Sequence, residues 1–362
     1  MFVYCFIFII LAILAVEYEV KALQKVNFTL IIVVVLLCLF TGLRGVAVSR
    51  DYLPYLGSFS AIMHGDSKGG SGILPLFEPG FVWIVVLCYK LFESNAAAAV
   101  MLVFAILTIA TKMVAVKRLA INPFIVLLLY YCHYFFIQEM TQIRNGLACS
   151  LFFLAIYFHL QNKTLNTVVL ILLAMLFHNS AVLYFILFLV RKDKLNGYFY
   201  AALLALAVIL GLLKIPFLSM LAGFDLNLIS NKLTTYVDIA DRGLYDRIRF
   251  FNVLNTINVL LTAYFLGYCM WYKIKDPRII IFLKCNIISI FTYGLLMDIP
   301  SVATRFSELF GAVFPFLIAY GMLLFPFKKL NIVVIIGIAA IFLYINLFYG
   351  KLLNPYSIIK LR

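Results

Sequence analysis

Apolar runs of roughly 15–22 residues, parted by short polar turns, recur along the whole chain and predict helices that cross a membrane. Runs such as 31–37 and 168–177 are continuously apolar, which excludes the alternating pattern of a membrane barrel, so helices are left to satisfy the backbone in lipid. The pattern predicts apolar segments at about 2–16, 28–43, 81–92, 97–116, 123–137 and 145–160, a run from 164 interrupted at His178, and further segments at about 198–213, 250–272, 279–297, 306–325 and 332–349. Residues 53–63 fit a short amphipathic helix at the interface. The first run lacks a basic n-region and a small-residue cleavage site, and it reads as a retained helix.

Composition agrees with this pattern. Of 362 residues, 65% are hydrophobic and 12% charged, with a mean hydropathy of +1.09, which a soluble domain of this size does not tolerate on its surface. The expected fold is an all-α polytopic membrane protein with about 12–14 transmembrane or re-entrant helices, one domain over residues 1–362, and two long extracytoplasmic loops at about 44–79 and 214–249. The net charge of +14 is spread over many short turns, so it orients helices and does not form a nucleic-acid surface. Seven cysteines lie inside apolar runs with no ligand-spaced histidine, and they read as packing thiols. No phosphate loop, nucleotide fingerprint or zinc motif occurs, so neither a cofactor nor a metal is expected.

The basic residues alternate between turns. Lys21 and Lys25, Lys117 and Arg118, Lys163, Arg191 to Lys194, Lys273 to Arg278, and Lys328 and Lys329 mark cytoplasmic turns. Lys112 closes the 97–116 segment with the Lys117/Arg118 group. The turns between them collect the unusual polar residues on the other face: Gln138 to Gly146, His178-Asn179-Ser180, the 214–249 loop and 298–305. Parity between the 44–79 loop and Arg118 has two solutions. Either 81–92 is re-entrant or interfacial, or it spans and 167–190 is one helix with His178 at mid-depth.

Several of these polar residues suggest chemistry. Arg144, with Glu139 at i−5, reads either as a snorkelling boundary charge or as a clamp whose planar fork suits phosphate oxygens. Arg305 has Glu308 one turn on and reads either as a helix-terminal pair or as a second phosphate contact. His178 fits a packing histidine or a base near neutral pH. Arg44, Asp51 and Tyr55 in the first loop, Glu78 before the 81–92 segment, and Arg242 and Arg247 in the second loop suit sugar or phosphate binding as well as solvated turns.

In order and spacing, the motifs Leu43-Arg44-Gly45 followed by Asp51 and Tyr55, Glu78-Pro79-Gly80-Phe81, Ile143-Arg144-Asn145-Gly146-Leu147-Ala148, Phe177-His178-Asn179-Ser180-Ala181, and Arg305-Phe306 resemble the Wzy/EpsG-like polysaccharide polymerases. The resemblance implies a bacterial cytoplasmic-membrane enzyme with its site on the outer face and, as one possible form, a GT-C-like glycosyltransferase architecture. It would join oligosaccharide repeats carried on undecaprenyl diphosphate, with a chain-length regulator as a candidate partner. By that resemblance Arg144 and Arg305 would hold the diphosphate, His178 would assist there, and Arg44 and Asp51 would serve the sugar, although the family pattern often has Gly and Thr where Arg50 and Tyr52 flank Asp51. Asp51, Glu139 and His178 are all candidate bases. A flippase for the same lipid is the main alternative, and no internal two-fold repeat supports it. An O-acetylating acyltransferase is a third possibility.

Overall fold

The computed structural model describes residues 1–64, 77–215, 217, 220, 249–323 and 327–359. Among these all regular structure is helical, and extended pairing is limited to two isolated bridges, Arg44 with Ile358 and Ser49 with Leu353. Six stretches are long and apolar enough to cross a membrane, a bent pair adds a seventh, and five shorter apolar helices accompany them. Burial follows position in the bundle: 17% of the apolar window of the first helix is buried against 72% of that in Pro277–Leu295. Phe2, Phe6, Ile9 and Ile13 are exposed as a lipid-facing helix requires.

The described residues fall into two compact units, 1–189 with 322–362, and 190–321. The first holds α1 (Phe2–Glu19), α2 (Val26–Gly42), α3 (Tyr52–His64), α4 (Pro79–Phe92), α5 (Ala96–Leu119), α6 (Pro123–Gln138), α7 (Ile143–Leu160) and α8 (Thr164–Met175). A 3-10 helix, Asn179–Phe188, and a last long helix, Lys328–Tyr344, complete it.

The basic turns of this unit gather at one end. Tyr18 donates to the Ile121 carbonyl, Asn122 donates to the Ala15 carbonyl, and Arg118 donates to the Tyr157 hydroxyl at 2.8 Å, which brings the ends of α1, α5 and α7 to the start of α6. Asn122 also caps α6 by accepting from the N–H groups of Phe124 and Ile125, with Pro123 at the first helical position. At the opposite end the C-terminal tail pairs with the first loop: Gly45 N–H donates to Ser357 O, Asn354 N–H to Val48 O, and Ile359 N–H to Leu43 O.

Between these ends α5 serves as a depth scale. Met101 lies beside Arg44, the Thr108 methyl faces Gly146, and Arg118 meets Tyr157. Residues 79–119 pass as one apolar stretch, yet a straight helix of that length would run about 60 Å. Glu93, at φ 41°, reverses the chain, and the Phe81 and Phe104 rings lie 5.8 Å apart, so α4 folds back along α5. At 14 residues, about 21 Å, α4 falls short of a crossing. A short helix folded back on its neighbour is the geometry of the re-entrant reading.

The rival reading, a continuous helix over 167–190, is overturned. The chain ends α8 at Met175, passes through His178 in an extended conformation (φ −154°, ψ 109°), and returns as the 3-10 helix. Phe188 at the end of that return packs edge-on against His159 at the end of α7, with ring centroids 5.7 Å apart. His178 therefore sits at the tip of a hairpin. The ends of α6 and α8 and the starts of α4, α7 and the 3-10 helix converge at one depth, about 12–18 Å below the first residue of α5.

Two glycines make this convergence possible. A Cβ on Gly80 would meet the Leu176 carbonyl at 2.8 Å and the Phe177 ring at 2.8 Å, and one on Gly146 would strike the Gln138 carbonyl. The Gly80 N–H donates to that same Leu176 carbonyl at 2.8 Å. Gly146→Val is expected to destabilise the protein by about 1–3 kcal/mol. A lowered midpoint in thermal unfolding of detergent-solubilised protein checks this.

The second unit contains α9 (Gly197–Leu213), α10 (Val253–Trp271), α11 (Pro277–Leu295), α12 (Pro300–Gly311) and α13 (Phe314–Leu323), with α12 and α13 bent by 44°. Asn286 on α11 donates to Asn258 and Thr262 on α10, each at 2.7 Å, which ties the two helices by a buried polar contact. Lys284 donates to the backbone carbonyls of Arg191 and Lys194.

Candidate active site

The convergence of helix ends in the first unit assembles residues far apart in sequence. Glu78, the residue before α4, directs one carboxylate oxygen at the Arg144 guanidinium on the first turn of α7. Its other oxygen faces the hairpin tip, 3.9 Å from His178 Nδ1 and 3.4 Å from the Asn179 N–H. Arg144 also donates to the Tyr55 hydroxyl of α3 and lies over the Phe81 ring, 5.1 Å from its centroid. Glu78, Arg144, His178 and Tyr55 thus form one cluster, with the N-terminal ends of α4, α7 and the 3-10 helix around it.

Exposure assigns different parts to these groups. The Glu78 side chain is 8% exposed, while Arg144 keeps 29% and His178 20%. The carboxylate is enclosed as an anchor, while the arginine and the histidine are partly exposed. A guanidinium held on one side by a carboxylate can still offer donors on another, and helix N-termini add partial positive charge, so the chemistry of this cluster suits an anion.

Arg44 stands beside this cluster and is fully buried. It donates to the Thr41 carbonyl at 2.6 Å and lies over the Tyr52 ring at 5.4 Å. Burial pushes its guanidinium down to about 10, against the pull of the hydroxyls of Tyr52 and Tyr55, which leaves it charged at neutral pH. Asp51 is half-buried at the start of α3. In the second unit Arg305 is exposed and Glu308 half-buried on α12. Arg242 and Arg247 lie outside the described residues.

Glu139 is placed differently from what its neighbourhood in sequence suggests. Its carboxylate pairs with Lys112 of α5 at 2.6 Å and accepts from Tyr130 at 2.6 Å, and it is 1% exposed. Lys112, counted above with the charges of a basic turn, is buried inside the bundle; its ammonium also donates to Gln138 at 3.1 Å. Sequence reading missed this residue, although a lysine one turn inside an apolar helix is itself a signal, since such a charge needs a partner.

Taken together, the fold and the cluster define a multi-pass membrane protein with charged side chains gathered where broken helices meet. The sequence matches the EpsG family over residues 27–358, and the chain belongs to that family. Among curated proteins and among solved structures no significant match was found. Family membership supports a function of the polysaccharide-polymerase type, acting on a lipid-linked substrate in the membrane.

Proposed function

We propose that the protein is a glycosyltransferase that moves a growing glycan from undecaprenyl diphosphate onto a sugar hydroxyl of an incoming lipid-linked oligosaccharide repeat, at the outer face of the bacterial cytoplasmic membrane. The observation that carries this reading is the Glu78–Arg144–His178 cluster at the meeting of three helix N-termini, within a chain of the EpsG family. The gathering of basic turns at the far end of the same unit supports the outer face for the cluster.

The step breaks the bond between the anomeric carbon and the diphosphate oxygen, and the bonding pair leaves on the diphosphate. A bond forms from the acceptor hydroxyl oxygen to that carbon, and the hydroxyl proton passes to His178, which Glu78 orients. Arg144 meets the charge that grows on the leaving diphosphate, so the reading needs no metal ion. Tyr55 and Asp51 serve the sugar–diphosphate side, and the buried Arg44 braces Tyr52 beside them. Arg305, which the family resemblance gives to the diphosphate, and Glu308, Arg242 and Arg247 remain substrate contacts proposed from the sequence.

His178→Ala tests the assignment of the base. It is expected to slow polymer formation by about 10²–10⁴-fold without removing the protein from the membrane, as loss of a general base does. Gel profiles of surface glycan from the mutant strain check it, and a normal ladder contradicts the assignment.

A further inference from the structure

A buried ion pair lies on α5 near the Glu78–Arg144 cluster. Lys112 and Glu139 have side chains 5% and 1% exposed, and two buried charges are costly to desolvate even when paired. Tyr130 and Gln138 complete the set: the Tyr130 hydroxyl donates to Glu139 at 2.6 Å, and Lys112 also contacts that hydroxyl. The second Glu139 oxygen has no hydrogen-bond partner, and the pair borders a small cavity otherwise lined mainly by apolar side chains such as Leu37, Ile109 and Phe135. Replacing such a pair by apolar side chains is often neutral or stabilising, so a need for stability alone does not explain it.

Its place in the chain does. Glu139 opens the turn that ends α6 and starts α7, and Arg144 stands on the first turn of α7. Inside the turn the N–H groups of Thr141 and Gln142 both donate to Ile137 O, and Gly146 sits against the Gln138 carbonyl. Polar contacts continue along α7 from Gln138 to Cys149 and Asn145, and Asn145 donates to Gln142 at 3.0 Å. Lys112 is thus the point at which the long helix α5 grips the start of this linkage, through Gln138 and Glu139.

We infer that Lys112 is a positioning residue: through Glu139 and Gln138 it fixes the 138–142 turn and thereby the location of the Arg144 guanidinium relative to Glu78. The inference rests on the proposed transfer reaction for its kinetic consequence and on the packing alone for its structural one. A displacement of about 1 Å at a reacting group costs about 10²-fold in rate, which sets the expected effect.

The experiment compares wild type, Lys112→Arg, and the double variant Lys112→Met with Glu139→Leu, all purified in detergent. Steady-state release of lipid diphosphate from a lipid-linked repeat and amide hydrogen exchange are both measured. The double variant removes both charges, so it is expected to fold, with kcat lowered about 30–100-fold, KM within about 3-fold, and faster exchange confined to residues 139–146. Lys112→Arg, able to grip both Glu139 oxygens, is expected to keep at least about a third of wild-type kcat. A double variant with wild-type kcat overturns the inference, and so does one with unchanged exchange at 139–146. If wild type itself releases no lipid diphosphate, the transfer reading falls, and the exchange comparison still decides the role of Lys112.

Discussion

Arg144→Ala is expected to abolish long-chain polymer while single repeats still reach the outer face. In purified protein the rate should fall by about 10²–10³-fold or more, the usual cost of losing one group that meets charge on a leaving atom. Arg144 is the cation of the cluster that is anchored, by Glu78 and Tyr55, and still partly exposed. Its removal also leaves the Glu78 carboxylate buried without its main partner, so the membrane level of the variant has to be followed alongside the glycan. Arg144→Lys separates the two effects: an ammonium keeps the charge against Glu78 but cannot present a fork to two phosphate oxygens. It should restore protein level more fully than it restores polymer length. A normal ladder for Arg144→Ala, with protein present in the membrane, removes Arg144 from the reaction.

Glu78→Ala carries the second-largest expected effect. The carboxylate holds Arg144 with one oxygen and faces His178 and the Asn179 N–H with the other, so its loss frees the two groups assigned to leaving-group charge and to the proton. The fall in rate should approach that of Arg144→Ala, about 10²-fold or more, because the groups act as a unit and their losses do not add. Glu78→Gln keeps the shape and one acceptor oxygen, and it should retain measurable turnover. Single-turnover rates of the two single variants and of Glu78→Ala with Arg144→Ala check this. A double variant much slower than either single, with the losses multiplying, contradicts the coupled cluster.

Much of this architecture was legible in the chain. Continuous apolar runs were enough for an all-α polytopic fold, because lipid leaves few other ways to satisfy a backbone. The short 81–92 segment pointed to a re-entrant piece, and the structure folds it back at Glu93. Charge alternation grouped the Arg144 and His178 turns on one side, and the structure brings their residues together around Glu78. Pairings between distant parts of the chain were not legible. Nothing local in Glu139 names Lys112, 27 positions earlier, and its closeness to Arg144 in sequence suggested a partner it does not take. The return at His178 was hidden as well, since a 3-10 run and an apolar α-helix share a composition. The C-terminal tail gave no sign that its residues 353–359 would bind down the first loop, some 300 residues away.

In the proposed reaction the Glu78–Arg144–His178 cluster transfers glycan from one lipid diphosphate to another lipid-linked repeat. Purified protein incubated with a defined lipid-linked repeat tests it most directly, with released lipid diphosphate and the length of the remaining lipid-linked glycan measured in one reaction. One lipid diphosphate released for each repeat added, lost in Arg144→Ala, is the predicted result. Translocation of the lipid-linked repeat across a vesicle membrane, with neither chain growth nor lipid diphosphate release, would contradict it.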